Sequence, residues 1–550
     1  MILRMLSTSL SAHHRVESPL ALPCALRQRR IRCARPLGAL LGVLWAASQL
    51  AGSASGAPSP STPLAPPQSA PQCPPWEPPA GLGGPADASV TLAEARRWRR
   101  FRAAREAERH EEARAPERVA ARYRISQAGI SAGCYPLAAI IDLGRGLFLR
   151  RHPRAAGFGH GERGRPTRTR LQSGELGGPD ASACVDCHWK GGFAGAGDRV
   201  DNSYLFGDGE HLSTSEARNP PALWGSGWVQ ALAQEMSRAL QRQRAEGLER
   251  ARRSGRAQRV SLESKGISFG SLTLSPSGRQ EESALRGVAG DLTIRPFGWR
   301  GDRATLRAFL RESLRLHFSL EASPEDLDGD GVADEISEGQ LSALSLFLAT
   351  LDTPLVELPT RSISQSPPFW GEPIEVEAPA LSLRWARGAT LFQELGCADC
   401  HRPTLPLEEP IFKTCPRTGP CIEIDLSESA ARPHPPRDAQ GRWLVPLFSD
   451  LRWHRMGAHL SARGAAASCP PERCPPDRYL TRRLWGLRNT SPYLHTGGAE
   501  RFEEVILMHG GEGSEAQTAA ESYQVLEEGE RASLHLFLSS LSRGPALRIR

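Results

Sequence analysis

The sequence predicts a mostly α-helical protein of two fused helical units with minor β-hairpin insertions. Three observations predict it. A five-residue cysteine motif occurs twice within a weak internal repeat, as expected of two similar units. Helical periodicity is clear in the body of the chain, where Val229, Leu232, Met236 and Leu240 share one face after Trp228. Strand-like alternation is read at residues 261–276 (SLESKGISFGSLTLSP), a short β-hairpin.

The chain has 550 residues, 39% hydrophobic and 23% charged. That length allows roughly two to four domains with sizeable cores. It excludes disorder throughout, a collagen and a multi-span membrane protein. The net charge of +7, from 68 basic and 61 acidic residues, is too mild for a dedicated nucleic-acid binder. Only Lys190, Lys265 and Lys413 are lysines, a bias toward arginine that fits coding preference better than phosphate recognition. Twelve cysteines are too few for a small disulfide scaffold and too many to leave unexplained.

Residues 1–57 read as a leader. A basic stretch (RQRRIRCAR) precedes an apolar run at 37–50 and then small residues, the order of a secretory signal. The run is short for a membrane span, so a cleaved signal is expected over an N-terminal anchor. A periplasmic or otherwise exported protein with no stable span follows. Residues 58–90 form a Pro-rich linker with steps such as Pro66-Pro67. Thr91-Leu-Ala-Glu94 is a capping box that opens a charged helix over 91–123, ending near Pro116. The globular body follows as units 124–300 and 381–541, joined by helices over 301–380. The last helix is expected over 522–541, with Leu526, Leu534, Phe537, Leu538 and Leu541 inward.

The repeat runs through the body. Arg145-Gly-Leu-Phe148 precedes Cys184-Val-Asp-Cys-His188, and Arg387-Gly-Ala-Thr-Leu-Phe392 precedes Cys397-Ala-Asp-Cys-His401. Arg218-Asn-Pro-Pro-Ala-Leu-Trp-Gly225 follows the first and Leu484-Trp-Gly-Leu-Arg-Asn489 the second. Cys-x-x-Cys-His is the attachment sequence of c-type haem. About one helical turn separates the thiols, so they reach the two vinyl groups of one haem, and the adjacent imidazole projects at the iron. At these Cys and His frequencies about 0.007 such motifs are expected by chance. Two predict two covalently bound haem c groups in two cytochrome-c-like domains. Cys184, Cys187, Cys397 and Cys400 would be the attachment points, with His188 and His401 as iron ligands. A zinc site sharing the two Cys pairs is the competing reading.

The body resembles the di-haem oxidoreductases, a family often labelled thiol oxidoreductase-like and related to bacterial di-haem cytochrome c peroxidases. The likeness spans 124–541. It rests on Phe448-Ser-Asp-Leu-Arg-Trp-His-Arg-Met-Gly457, on Leu484-Trp-Gly-Leu-Arg-Asn489 followed by Pro492-Tyr-Leu-His495, on Phe502-Glu-Glu-Val-Ile-Leu-Met-His509, and on Asp330-Gly-Val-Ala-Asp-Glu-Ile336. The resemblance implies His509 as second axial ligand of the C-terminal iron, with Met508 and His454 in reserve. It implies His211, seven residues before Arg218-Asn219, as a displaceable ligand of the N-terminal iron. The family's acid–base Glu is replaced here by Gln230, which cannot transfer a proton as a carboxylic acid does. Glu235, about a turn and a half further on, is the substitute candidate. Trp299, in Arg295-Pro-Phe-Gly-Trp299, resembles another family segment and is read as core packing.

Asp326, Asp328, Asp330 and Asp334 have the spacing of a Ca²⁺-binding loop, although Ser337 stands where a bidentate Glu would close it. The expected function is oxidation of a donor, such as a small redox protein, at the C-terminal haem and reduction of hydrogen peroxide at the N-terminal one. A non-catalytic electron carrier and a haem-dependent oxygenase are the alternatives. Of the other cysteines, Cys24 and Cys33 fall in the leader. Cys415, Cys421, Cys469 and Cys474 are expected to form two disulfides of open connectivity. Cys73 and Cys134 are either a third bridge or free.

Overall fold

A computed structural model describes residue 107 and residues 122–152, 168–169, 181–205, 215–318, 320–325, 333–354, 378–460 and 476–542. All fall within one compact unit, Ala70–Arg550. The leader, the linker and nearly all of the charged helix expected over 91–123 lie outside the described residues.

Helices dominate, as the periodicity predicts. In chain order they are α1 (Gln127–Ser131), α2 (Leu137–Leu149), α3 (Ser226–Ser254), α4 (Leu306–Phe318), α5 (Glu338–Ala349), α6 (Ala378–Glu394), α7 (Phe502–Met508), α8 (Gln517–Gln524) and α9 (Glu528–Ser540). The long α3 buries Trp228, Val229, Leu232, Met236 and Leu240 on one side. It stops at Gly255, whose φ of +66° ends the helix at little cost for glycine, behind a basic last turn of Arg252 and Arg253.

The hairpin forms from Gln258–Ser264 and Ile267–Leu274, antiparallel, and packs on α3. Its two-residue turn places Lys265 and Gly266 both at positive φ, which matches the twist of the flanking strands. Several further small sheets accompany it. Leu405–Leu407 pairs with Trp443–Val445, Ile411–Thr414 with Ile422–Asp425, and Trp453–Arg455 with Arg478–Leu480. Strands this short carry too little alternation to be read from sequence. The Cys415–Cys421 disulfide closes the loop between Ile411–Thr414 and Ile422–Asp425, so this pair bridges within its loop. Cys134 is also disulfide-bonded, to a partner outside the described residues, where Cys73, Cys469 and Cys474 lie as well.

The single helix expected over 522–541 is two helices. The chain breaks between α8 and α9, where the Arg531 guanidinium binds the carbonyls of Gln524 (2.8 Å) and Leu526 (3.0 Å). Such bonds satisfy carbonyls left open at a helix C-terminus. Leu534, Phe537, Leu538 and Leu541 are buried as the pattern requires, and Leu526 is half-buried.

The repeat is visible in the packing. The helix before each cysteine motif crosses a later helix, α2 against α5 and α6 against α9. Each crossing is closed by a glycine. A Cβ on Gly144 would lie 2.0 Å from the Ala343 carbonyl oxygen, and one on Gly388 would lie 2.0 Å from that of Ser533. Phe347 and Phe537 stand one turn beyond those carbonyls and touch the same two glycines. The structural register therefore pairs Gly144 with Gly388 and Phe148 with Phe392, so Arg145 and Arg387 are not equivalent positions. The units also interlock. Gly225 leaves room for the Trp485 ring and Gly486 for the Trp224 ring, each at 2.4 Å from a hypothetical Cβ. Both glycines have positive φ, 62° and 75°.

Gly144→Ala and Gly388→Ala should each destabilise the protein by about 1–3 kcal/mol, because the added methyl meets backbone that cannot move aside. Gly529→Ala, in the first turn of α9 with open space around it, should be neutral or stabilising by up to about 1 kcal/mol. Denaturation midpoints of the three variants check this; an unchanged midpoint for both crossing variants would count against the crossing as a close-packed contact.

Candidate haem sites

Cys184–Asp186 forms a single 3₁₀ turn. The amides of Cys187 and His188 both donate to the Cys184 carbonyl, at 3.2 and 3.1 Å. Asp186 holds the turn from below, accepting from Ser182 Oγ at 2.6 Å and from the Ala183 amide at 2.9 Å. In the second unit Cys397–Cys400 is one α-turn, entered through Gly396 at φ +79°, and the His401 amide donates to the Cys397 carbonyl at 2.9 Å. In both, a single turn sets the two thiols and the imidazole side by side.

The environments of the two imidazoles share three backbone contacts, and His188 has one more, to Pro221. His188 Nδ1 lies 3.2 Å from the Gly195 carbonyl, and His401 Nδ1 lies 2.9 Å from the Phe448 carbonyl. The residue before each acceptor receives a backbone bond from the next repeat segment: the Leu223 amide donates to Ala194, and the Leu484 amide to Leu447. The residue before that receives an indole: Trp224 Nε1 donates to Phe193 at 2.8 Å, and Trp485 Nε1 to Pro446 at 2.6 Å. Three consecutive carbonyls thus do the same three jobs in each unit. Phe148 and Phe392 complete the likeness, with ring centres 6.4 Å from His188 and 6.5 Å from His401.

This arrangement fixes the chemistry of the rings. A carbonyl only accepts, so Nδ1 carries the proton and Nε2 keeps its lone pair, the form that binds a metal. Burial pushes both His188 and His401 down to about 4, against the pull of their carbonyl bonds, so both are neutral at pH 7. Burial lowers His509 too, and its Nδ1 bonds the Val505 carbonyl at 2.7 Å.

His509 caps α7 and faces His401, with ring centres 6.5 Å apart. Two imidazoles binding one metal through nitrogen at about 2 Å each would have centres about 6 Å apart, so the separation leaves room for one metal ion between His401 and His509. Among the described residues no second imidazole is seen paired with His188 as His509 is with His401, and the His317 charge contributes to lowering His188. His211 lies outside the described residues.

The four motif cysteines are unbridged. Burial raises Cys184 to about 12 and Cys397 to about 11, so they are not the low-pKa thiolates that thiol exchange requires. They also form no common metal cluster. Among the described residues the one group of metal-binding type is Cys400, Asp450 and His454, which removes the shared zinc site.

His454, a reserve axial candidate, is committed elsewhere. Its Nε2 lies 2.8 Å from Asp450 and its Nδ1 2.8 Å from Glu515, with Cys400 Sγ at 3.8 Å from Nδ1. Burial opposes its charge, but bonds to Asp450, Cys400 and Glu515 overcome this and push it up to about 11. Burial likewise raises Asp450 and Glu515, and the His454 contacts bring both down, Glu515 to about 2. The charged segment around Asp450 also wraps the motif. Asp450 and Ser449 amides donate to the carbonyls of Cys400 (2.8 Å) and Arg402 (3.0 Å). Phe448 and Leu451 both stand at positive φ, 52° and 57°, an unfavoured conformation held by these contacts and one that directs the Phe448 carbonyl at His401.

The two residues named for proton transfer are tied into the scaffold. Gln230 is fully buried; its amide donates to the Lys413 carbonyl (2.7 Å) and accepts from the Leu306 amide (2.7 Å). Glu235 is ion-paired with Lys265 and accepts from the Glu408 amide at 3.1 Å. Asp334 pairs with Arg417 at 3.1 Å, while Asp326, Asp328 and Asp330 lie outside the described residues. Trp299 is half-buried, donates from Nε1 to the His495 carbonyl at 3.1 Å and lies under Arg218 at 4.7 Å.

The Gly195 acceptor, the Asp450–His454–Glu515 network and the arginines after Leu480 escape sequence reasoning. The first is a backbone atom, and the others depend on partners far away in the chain, Glu515 for His454 and Gly298, Trp299 and Ala222 for the arginines. The sequence does signal the network: the Asp-Leu-x-x-His spacing puts Asp450 and His454 four residues apart.

Residues 379–541 match the model of a family described as di-haem oxidoreductase, putative peroxidase. This agrees with the resemblance carried by the motifs. No curated protein matches the chain. Among solved structures, one titled as the crystal structure of a MauG-like protein associated with microbial copper homeostasis is 18% identical over 50% of this chain and 78% of its own, with a TM-score of 0.24. A likeness that loose carries no argument.

The His454 charge has a pH signature. Its folded value of about 11 lies above the ordinary 6.5, so its stabilisation is complete below about pH 6.5 and is lost as pH rises toward 11. His454→Gln should therefore cost about 1–3 kcal/mol near pH 6 and progressively less by pH 9.5. Urea unfolding at the two pH values measures this; an equal cost at both would rule out a charged His454.

Proposed function

We propose that this protein is an exported di-haem c-type cytochrome with peroxidase activity, and one observation carries the reading. The two motifs sit in the same carbonyl cradle, yet they differ on the far side of the imidazole. His401 is paired with the His509 ring, whereas His188 has the Phe148 ring beside it and no such imidazole pairing among the described residues, which do not include His211. An iron closed on both sides favours electron transfer, and one with an open or displaceable position favours peroxide chemistry.

When bound, the haems supply one-electron redox chemistry, with donor oxidation at the C-terminal group and reduction of hydrogen peroxide to water at the N-terminal one. Cys184 and Cys187 would attach the first and Cys397 and Cys400 the second. The chain's own part is to hold Nε2 of His188, His401 and His509 unprotonated and aimed. His211, in the Gly- and Ser-rich segment before Arg218, would be the displaceable ligand. The Asp326, Asp328, Asp330 and Asp334 loop is the place for Ca²⁺, although Arg417 already engages Asp334. Export is supported by the Cys415–Cys421 and Cys134 disulfides, which persist in oxidising compartments. No described helix is long and apolar enough to cross a membrane. A small redox protein is the donor this reading calls for.

Two measurements on protein made with a haem-attachment system test it. Peroxide added to the half-reduced protein, with a reduced donor present to supply the second electron, should shift the absorption of one haem and oxidise the other; no spectral change would leave an electron carrier. His509→Ala should convert the C-terminal haem from low to high spin while the other haem is unaffected, and an unaltered low-spin spectrum would remove His509 as its ligand.

A further inference from the structure

Two adjacent arginines, Arg482 and Arg483, lie at the seam between the repeat units. Arg483 Nη2 donates to the Ala222 carbonyl at 2.5 Å, in the first unit's Pro-Ala-Leu-Trp segment. Arg482 Nη2 donates to the carbonyls of Gly298 and Trp299, at 2.7 and 2.5 Å. Among the described residues neither guanidinium forms an ion pair. Asp302 attracts Arg482 at longer range but is itself bound by Arg303 at 2.9 Å.

That is a costly arrangement. Burial lowers Arg482 to about 10 and Arg483 to about 9, and the neighbouring Arg482 charge lowers Arg483 further. Buried charges in proteins are paired, and a lone pair of like charges asks for an anion. Both side chains keep part of their surface open. They line the mouth of a small, partly open recess of about 10 Å³, walled by Val229, Pro296, Leu447, Leu451, Leu480 and Thr481. Leu447 belongs to the carbonyl run that cradles His401, and Ala222 adjoins Leu223, which bonds the run that cradles His188. The arginines thus stand between the two cradles, with donors to spare and, among the described residues, no directly bound carboxylate.

We infer that Arg482 and Arg483 form a carboxylate-binding site that receives haem propionates at the seam between the units. The guanidinium fork matches a carboxylate in shape and charge, and the anion would neutralise both side chains. The inference rests on the reading of the two motifs as haem attachment sites.

The test uses the holoprotein with Arg482→Gln, Arg483→Gln and the corresponding Lys variants. Mass spectrometry first counts covalent haems. A parent chain without two of them would overturn the haem reading itself. With two attached, spectroelectrochemical titration should show the potential of at least one haem lowered in each Gln variant, because a cation favours the reduced iron. The Lys variants, which keep the charge, should recover most of the shift. Unchanged potentials in Gln variants that carry both haems would overturn the site and leave the haem reading intact. Should the Gln variants fail to accumulate, a structure of the parent holoprotein decides. Guanidinium nitrogens about 2.7–2.9 Å from a propionate oxygen support the site, and separations beyond about 5 Å remove it.

Discussion

The structure depends on one constraint, the direction in which a backbone carbonyl points at each motif histidine. Gly195 and Phe448 hold the Nδ1 proton of His188 and His401, and everything nearby serves to place those two oxygens. The Leu and Trp of the downstream repeat segment grip the two preceding carbonyls, so the run cannot rotate without breaking three bonds at once. At His401 the run contains a non-glycine residue at positive φ, a conformation that persists only where surrounding bonds over-determine it. The cost of that backbone is the cost of keeping Nε2 free of a proton.

The same logic explains why the units interlock. The tryptophans that grip the carbonyl runs also occupy the space above the partner unit's glycine, Trp224 on Gly486 and Trp485 on Gly225. Each unit's cradle is therefore braced by a ring that is packed by the other unit. A side chain at either glycine would displace the brace, and through it the acceptor of the imidazole proton. This makes the seam a mechanical link between the two sites, and it is also where Arg482 and Arg483 bring positive charge.

Much of this was legible in the sequence, and the limits are physical. The two motifs, the helix face of α3 and the hairpin turn at Lys265-Gly266 are local features, and local features survive in a linear reading. The repeat is legible too, but not its register: Arg145–Phe148 and Arg387–Phe392 differ in length, and packing pairs Gly144 with Gly388, because only the glycine at the helix crossing is constrained. The break before α9 was not legible, since it is made by Arg531 reaching back to carbonyls rather than by a helix-breaking residue. Gln230 and Glu235 were picked by position in a family pattern. Their contacts with Lys413, Leu306, Lys265 and Glu408 join distant segments and leave no trace in the local sequence.

Equal cradles with unequal surroundings are what a division of labour between two haems requires. The backbone cradle sets what the two sites share, a neutral imidazole with its lone pair aimed. What differs comes from side chains outside the repeat. The C-terminal motif has His509 6.5 Å from His401 and the charged Asp450–His454–Glu515 network beside Cys400. The N-terminal motif has neither among the described residues; its turn is held instead by Asp186 and Ser182. Ligand number and local charge are two of the quantities that set a haem's potential and reactivity. A duplicated scaffold can therefore be specialised without altering the helix crossings or the carbonyl runs, because the residues that distinguish the two sites are not the residues that build them.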